Sequence, residues 1–490
     1  MLIIASGASA GSVPLPQLQV KDRRVVDSNG STVILRGVAV NQLGDYFQAN
    51  PSVPSTHQLA RRDFEQMASL GISSVRLIVS WSKLEPAPYV HDRAYLAQIK
   101  QAVQWAKENN IYVVLDMHQD AWGKHIYSFP DENCNWPLIP NIGWDGAPQW
   151  ATFTDDRGRC MLVHRELSLA VMNAWQAFWH DREGIQQHLI DTWAWLAEEF
   201  KDEPAMAGYD ILNEPGWGWN PVMDVRKHKP AFYRRAAAAI RKAEAGGLNK
   251  IIFFEPLSIW AAIPHERAVP FTQDPDIIYA PHIYIGSISI DVYLLHREII
   301  PLHKGFEWAE AEAKEFNTTF WNGEWFPGAG DHAFRYAALE DQYQTGSARW
   351  QWRASCGDPH VLSGSWPDQS KVHTGENHDV MISRCGDASK PEGIEQGINP
   401  IDAIILARPY PRAFPFPATF RADPKAKILE MSGNAPFGNV PLLVWVPGKS
   451  RPEIESENIK DLSLEQVNSG WMLRGVPGPG AWKLLATGKD

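Results

Sequence analysis

At 490 residues the chain is too long for one ordinary domain and fits one large barrel plus a small appended module. Apolar residues make up 44% and charged residues 21%, a globular balance, and no apolar run approaches the roughly 20 residues that span a bilayer. The 46 basic and 57 acidic residues leave −11, which repels nucleic-acid backbones and argues against nucleic acid as a partner.

The first residues, MLIIASGASAGS, carry a short apolar patch and an Ala8-Ser9-Ala10 stretch resembling a signal-peptidase site. No basic segment precedes it and the apolar part is shorter than the usual roughly 7–15 residues, so residues 1–20 read as a signal remnant or a wrongly chosen start. From about residue 33 short apolar runs alternate with helical patterns. The candidate strands are VILRGVAV (33–40), SSVRLIVSW (73–81), IYVVLDMHQD (111–120), MAGYDILNEP (206–215), KIIFFEP (250–256), IIYAPHIY (277–284), TTFWNGEWF (318–326) and SARWQWR (347–353). Between them, apolar residues at helical spacing predict amphipathic helices: Phe64, Met67 and Ala68 closed by Gly71; Leu96, Ile99, Val103 and Ala106 closed by Asn109-Asn110; Ile185, Leu189, Trp193, Leu196 and Phe200. Strands that are nearly continuous apolar runs belong to a parallel sheet covered on both faces. Eight such units predict an α/β fold, a (β/α)8 TIM barrel; an open doubly wound sheet fits less well because no Gly-rich fingerprint follows the first strand.

Residues 121–180 and 354–400 are too long to be simple connectors, and both follow the C-terminal end of a strand, where barrel loops build active sites. Cys134 with Cys160 and Cys356 with Cys385 form two close pairs in Gly/Pro/Asp-rich sequence, the pattern of two loop-stapling disulfides and of an exported protein. After RPYPRAFPFPATF (408–420) short alternating segments predict a β-sandwich, giving a division into a barrel over 21–412 and a C-terminal sandwich over 413–490.

If each strand ends with its apolar run, one mouth gathers Arg76, His118, Asp120, Asn213, Glu214, His282, Tyr284, Glu324, Trp350 and Trp352. Glu214 and Glu324 are the informative pair, because glycoside hydrolysis needs one carboxyl to protonate the leaving oxygen and one carboxylate to attack or activate water. Arg76 beneath Glu324 would favour its ionised form, and Glu214 among aromatic residues would tend to hold a proton through desolvation. Taken singly these residues have plainer readings. Glu before Pro is common at helix N-termini, His118 and Asp120 lack third and fourth metal partners and read as hydrogen-bonding groups, and Trp350 and Trp352 share a face that would equally fill the barrel. The 22 Trp serve cores and sugar platforms equally well. GASAG (7–11) matches a nucleophile elbow, but no strand precedes it and no helix follows.

Arg near the end of the second strand, with NEP ending the fourth, HxY the sixth, Glu the seventh and Trp the eighth, together resemble the family-5 glycoside hydrolases. LDMHQDAW (115–122), GAPQWAT (146–152), the HREL...VMNAWQAFW region (164–179) and RPYPRA (408–413) resemble, more narrowly, the bacterial endoglycoceramidases, which cut between the oligosaccharide and ceramide of glycosphingolipids. The resemblance implies Glu214 as acid/base and Glu324 as nucleophile. It further implies Asn213 on the sugar 2-hydroxyl, Tyr284 on the nucleophile, Trp350 under the attacked sugar, and His118 and Asp120 on the sugar. It implies no metal and no cofactor, and a lipid-linked substrate met at a micelle or membrane surface, for which Trp122, Trp217, Trp219 and Trp325 are rim candidates. GEWFPG replaces the commoner GEFG. A single-sugar glucosylceramidase or steryl glucosidase, a soluble-polysaccharide β-glycanase, and an inactive carbohydrate- or lipid-binding barrel are the rival readings. A secreted or cell-surface bacterial monomer is the expectation.

Overall fold

The computed structural model describes residues 15–48, 53–162, 164–261, 269–284, 301–326, 331–355, 357–362, 382–383 and 397–490. Three short N-terminal strands, β1 (Leu18–Lys21), β2 (Arg24–Asp27) and β3 (Thr32–Val33), precede the barrel. The barrel strands are β4 (Arg36–Val40), β5 (Ser74–Ser80), β6 (Tyr112–His118), β7 (Met206–Asp210), β8 (Ile251–Phe254), β9 (Ile277–Tyr279), β10 (Asn322–Trp325) and β11 (Ser347–Arg349). They lie in the order β9-β8-β7-β6-β5-β4-β11-β10, all parallel. Two further parallel bridges, Tyr279 to Phe320 and His282 to Glu324, close the ring between β9 and β10. All eight predicted runs supply one strand each.

The helices α1 (Arg61–Ser69), α2 (Arg93–Glu108), α3 (Leu169–Trp179), α4 (Ile185–Phe200), α5 (Lys229–Ala243), α6 (Leu302–Glu315), α7 (His332–Tyr343) and α8 (Pro400–Leu406) accompany this ring. Asp92 caps α2 by accepting from the amides of Ala94 and Tyr95, which otherwise lack helical partners. The stripe Leu189, Trp193 and Leu196 of α4 is buried in the main core, each side chain contributing about 1.5–3 kcal/mol of apolar burial.

Period-two alternation sorts the barrel interior into layers. Tyr112, Val114, Ile251, Phe253, Ile278 and Ala280 form an apolar lower filling with Trp321, while the next inward positions, Asp116, Asp210, Glu255 and His282, are polar. The lower filling also includes Leu18, Val20, Val25 and Val33 of the N-terminal strands, which plug the bottom of the barrel.

The C-terminal strands are β12 (Tyr410–Phe414), β13 (Ala418–Asp423), β14 (Ile428–Ala435), β15 (Leu442–Pro447), β16 (Ser450–Glu457), β17 (Ile459–Val467), β18 (Gly470–Pro477) and β19 (Gly480–Lys489). They form a four-stranded sheet, β13-β14-β19-β16, facing a seven-stranded one, β1-β2-β3-β12-β15-β18-β17, around Tyr410, Leu429, Val444, Trp445, Leu473 and Trp482. This corrects the expected division, which put residues 21–33 with the barrel: β3 pairs antiparallel with β12, so these residues belong to the sandwich sheet. A buried cluster fastens the two units, with Arg408 bonded to Glu340 at 2.8 Å and Asp341 at 3.1 Å, and Asp341 accepting from the Ala422 amide at 3.0 Å.

Candidate active site

The polar top layer of the barrel is organised by one buried cation. Arg76, inward on β5, donates to Glu324 Oε1 at 2.6 Å, Asp210 at 2.9 Å, Asn213 Oδ1 at 2.9 Å and Glu255 at 2.8 Å, and lies 3.0 Å from Asp116. Burial opposes its charge, but Asp116, Asp210, Glu255 and Glu324 outweigh that and raise its pKa well above the ordinary value. Asp210 goes the other way: burial, with Glu255 and Asp116 nearby, pushes it well above the usual carboxylate range despite Arg76.

Glu324 lies one residue before the end of β10, with its second oxygen accepting from the Tyr284 hydroxyl at 2.6 Å. Both oxygens of this carboxylate are therefore held. Glu214 follows β7 at a sharp turn, with φ of +35°, a left-handed conformation unfavourable for a side chain of this size. Its backbone amide donates to Glu255 at 2.7 Å, which steadies the turn. Its Oε1 meets His282 Nδ1 at 2.8 Å and its Oε2 accepts from Arg165 at 3.2 Å. One oxygen of Glu214, one of Glu324 and a ring nitrogen of His282 all lie within 4.8 Å of one another.

The expected protonation of Glu214 is reversed. Burial does push its pKa up, but the hydrogen bond and charge of His282, together with Arg165, overcome it and hold the group below the usual value. His282 is itself kept charged: burial opposes the proton, and Glu255, Glu324 and Glu214 prevail.

Asn213 accepts from Arg76, donates to the Gln119 carbonyl at 2.8 Å, and is nearly fully buried. His118 bonds Asp116 at 2.8 Å and stacks on Trp350, the ring centres 5.2 Å apart. Burial works against its charge, but Asp145 and Asp116 push it up to about 9. Asp120 accepts from Arg165 and meets His360 Nε2 at 2.8 Å; His360 also bonds Asp358 at 2.8 Å, and its pKa is pushed up to about 10 by Asp358 and Asp120 against the cost of burial. The mouth thus brings together Arg76, His118, Asp120, Asn213, Glu214, His282, Tyr284, Glu324 and Trp350.

It does not bring in Trp352, whose indole donates to Asp63 on α1 at 3.1 Å within the helix-side core. β11 ends at Arg349, so strand alternation does not extend to these tryptophans. Three rim candidates are also core residues. Trp122 packs on Trp81, Trp175 and Phe178; Trp325 is fully buried and stacked on Tyr336 at 4.0 Å; Trp217 is buried. Trp219, 42% exposed, remains on the rim. Cys134 and Cys160 are joined in the insertion after β6, while Cys356 and Cys385 lie outside the described residues.

Residues not predicted for the site include Asp116, Asp210, Glu255, Arg165 and His360. The first three had a signal, being polar at inward positions of their strands. Arg165 and His360 reach Asp120 from 45 and 240 residues away, a meeting that no local pattern encodes.

A closed parallel barrel with two carboxyls this close at its C-terminal mouth defines a two-carboxylate glycosidase site. The family model for cellulase, glycosyl hydrolase family 5, matches residues 26–325, and the chain belongs to that family. The crystal structure of an endogalactoceramidase superposes with a TM-score of 0.85 at 38% identity, covering 96% of this chain and 99% of that one. Endoglycoceramidase II from Rhodococcus sp., in a ganglioside complex, shares the fold at 20% identity and a TM-score of 0.70, over 96% of this chain and 100% of that one. Endoglycoceramidase I of Rhodococcus hoagii is 26% identical over 297 residues, 58% of this chain and 56% of its own length, and an endoglycoceramidase of Hydra vulgaris is 22% identical over 44% of each. The chain spans about half the length of the curated relatives it matches.

Proposed function

We propose that this chain is a β-retaining endoglycoceramidase, hydrolysing the bond between the oligosaccharide and ceramide of glycosphingolipids. The observation that carries the reading is the Glu214–Glu324 pair, within 4.8 Å at its closest, in a chain that aligns end to end with an endogalactoceramidase. Retaining glycosidases hold their carboxyls about 5–5.5 Å apart, because one attacks the sugar directly; inverting enzymes need a wider gap for water. Glu324, its two oxygens fixed by Arg76 and Tyr284, attacks the anomeric carbon of the first sugar while Glu214 gives a proton to the ceramide oxygen. Water deprotonated by Glu214 then attacks that carbon, releasing the oligosaccharide and regenerating Glu324. The Asn213 amide spends one N–H on the Gln119 carbonyl and can give the other to the sugar 2-hydroxyl. Trp350 offers its face below that sugar, with His118 and Asp120 beside it.

The enzyme would meet its substrate at a lipid surface. The stapled insertion exposes Phe129, Trp136, Leu138 and Leu162; Leu138 and Leu162 are paired across two strands, so they share a face, and Trp136 is 88% exposed. The strand of Leu162 pairs antiparallel with His164–Ser168, the strand that carries Arg165, a group that touches Glu214. The Cys134–Cys160 disulfide favours a secreted or cell-surface location.

The test is mass spectrometry of the products from a mixed glycosphingolipid, with wild type and Glu324→Gln in parallel. Intact oligosaccharide and free ceramide from the wild type alone support the reading. Terminal monosaccharides, or cleavage of soluble glucan only, would leave the barrel and its carboxylates but remove the lipid substrate.

A further inference from the structure

Glu214 is paired as a base would be, yet its first task on the proposed route is to act as an acid. It is faced by His282 from the end of β9, Glu324 from β10, Glu255 through its own backbone amide, Asp120 from the loop after β6, and His164, Arg165 and Glu166 from the strand His164–Ser168. Arg165 and His282 are the cations that bond its oxygens. A carboxylate held between two cations keeps its charge, which suits the water-activating step and opposes the proton-donating one.

The two cations are anchored differently. The backbone of His282 forms the bridge to Glu324 that closes the barrel, and its ring is also held by Glu255 at 3.3 Å and faces Glu324 at 3.6 Å. Arg165 belongs to the insertion, its side chain is 16% exposed, and its guanidinium holds Asp120 as well as Glu214. Asp120 is thus a second counter-ion already in place, able to retain Arg165 after the Glu214 contact breaks.

We propose that Arg165 is a displaceable counter-ion that couples the protonation of Glu214 to occupation of the leaving-group side of the cleft. Entry of the leaving group lifts Arg165 from Glu214 Oε2 and leaves it on Asp120; Glu214 then binds a proton from solvent. That proton passes to the glycosidic oxygen as its bond to the anomeric carbon breaks and the bond to Glu324 forms. Departure of the leaving group lets Arg165 return, keeping Glu214 ionised to take a proton from the water that cleaves the glycosyl-enzyme. On product release the proton returns to solvent, so the cycle is balanced. Arg165 is a positioning residue, since it acts through Glu214. The inference rests on the acid/base role given to Glu214 above.

The experiment compares two pH profiles for β-glycosides whose leaving oxygen needs a proton, such as an alkyl β-lactoside beside a ceramide glycoside. The profile of kcat/KM reports the free enzyme, and the single-turnover glycosylation rate at saturating substrate reports the complex. For wild type the alkaline limb should lie at least one pH unit higher in the complex. In Arg165→Met the kcat/KM limb should move up to meet it, so that one unit above the wild-type limb the variant keeps at least about a fivefold larger fraction of its maximum. Arg165→Lys should restore part of the gap. Coincident limbs in the wild type overturn the proposal without any variant, as does an Arg165→Met profile that is lowered but not shifted. Failure to cleave ceramide glycosides while the alkyl glycoside shows the gap would overturn the lipid substrate and leave this inference standing.

Discussion

Arg76→Met removes the charge around which the top of the barrel is built while keeping much of the side-chain volume. Arg76 and its partners Asp116, Asp210 and Glu255 are almost wholly out of water. Deleting one member of a buried ionic network costs about 3–5 kcal/mol, because the remaining charges stay desolvated and uncompensated. A melting entropy of about 2.1 cal/mol/K per residue over 490 residues is about 1 kcal/mol/K, so a barrel and sandwich melting as one unit should lose about 3–5 °C. The loss should depend on pH. Asp210 already sits well above the ordinary carboxylate value through burial and its acidic neighbours, with Arg76 opposing them, and would rise further without Arg76. A carboxyl with a raised folded pKa stabilises fully below its unfolded pKa of about 4, and that contribution disappears as pH rises through the folded value. The deficit of the variant against wild type should therefore shrink as pH is lowered towards the unfolded carboxylate value. Calorimetric melts of both proteins across this range, with single-turnover rates, are the assay. Glycosylation should also slow by about a hundredfold, since Glu324 and Asn213 lose a shared donor. A melting change below about 1 °C, or a deficit unaffected by pH, would refute the view that Arg76 compensates these carboxylates.

Glu214→Gln should lower kcat/KM on ceramide glycosides by about 10²–10⁴-fold and much less on an aryl glycoside whose leaving group needs no proton, measured by initial rates on both. Trp136→Ser with Leu162→Ser should weaken sedimentation with glycosphingolipid vesicles by about tenfold or more, each lost apolar contact costing of order 1.5 kcal/mol or above, while the rate on a soluble aryl glycoside stays unchanged. Gly71→Ala should lower the melting temperature by a few degrees: Gly71 follows α1 at φ of +74°, and an added Cβ would lie 2.3 Å from the Trp445 ring of the sandwich. Differential scanning fluorimetry tests this, and an unchanged melt would show that the α1–Trp445 contact can relax freely.

Sequence alone determined the barrel, because eight buried parallel strands need near-continuous apolar runs and the helices between them need one apolar stripe each. It also located the two carboxyls, since an acidic residue at the end of such a run stands at the open end of a strand whatever the rest of the chain does. Much of the surrounding polar layer was legible in retrospect: Asp116 and Glu255 continue the inward alternation of Val114 and Phe253, and the pattern registers a charge there without saying what pairs with it. Tertiary structure alone decided those pairings. Whether Glu214 stands in an apolar or a cationic setting depended on Arg165 and His282 arriving from elsewhere in the chain, while of the aromatic residues near it in sequence Trp217 is buried and Trp219 faces solvent. Trp350 and Trp352 likewise separated into site and core once the strand ended before them. The N-terminal strands carry apolar alternation that would serve any sheet, and only the pairing of β3 with β12 assigned them to the sandwich. Local patterns fix which residues can be buried or turned outward; the partner a buried charge finds is a long-range contact, set by how the whole chain closes.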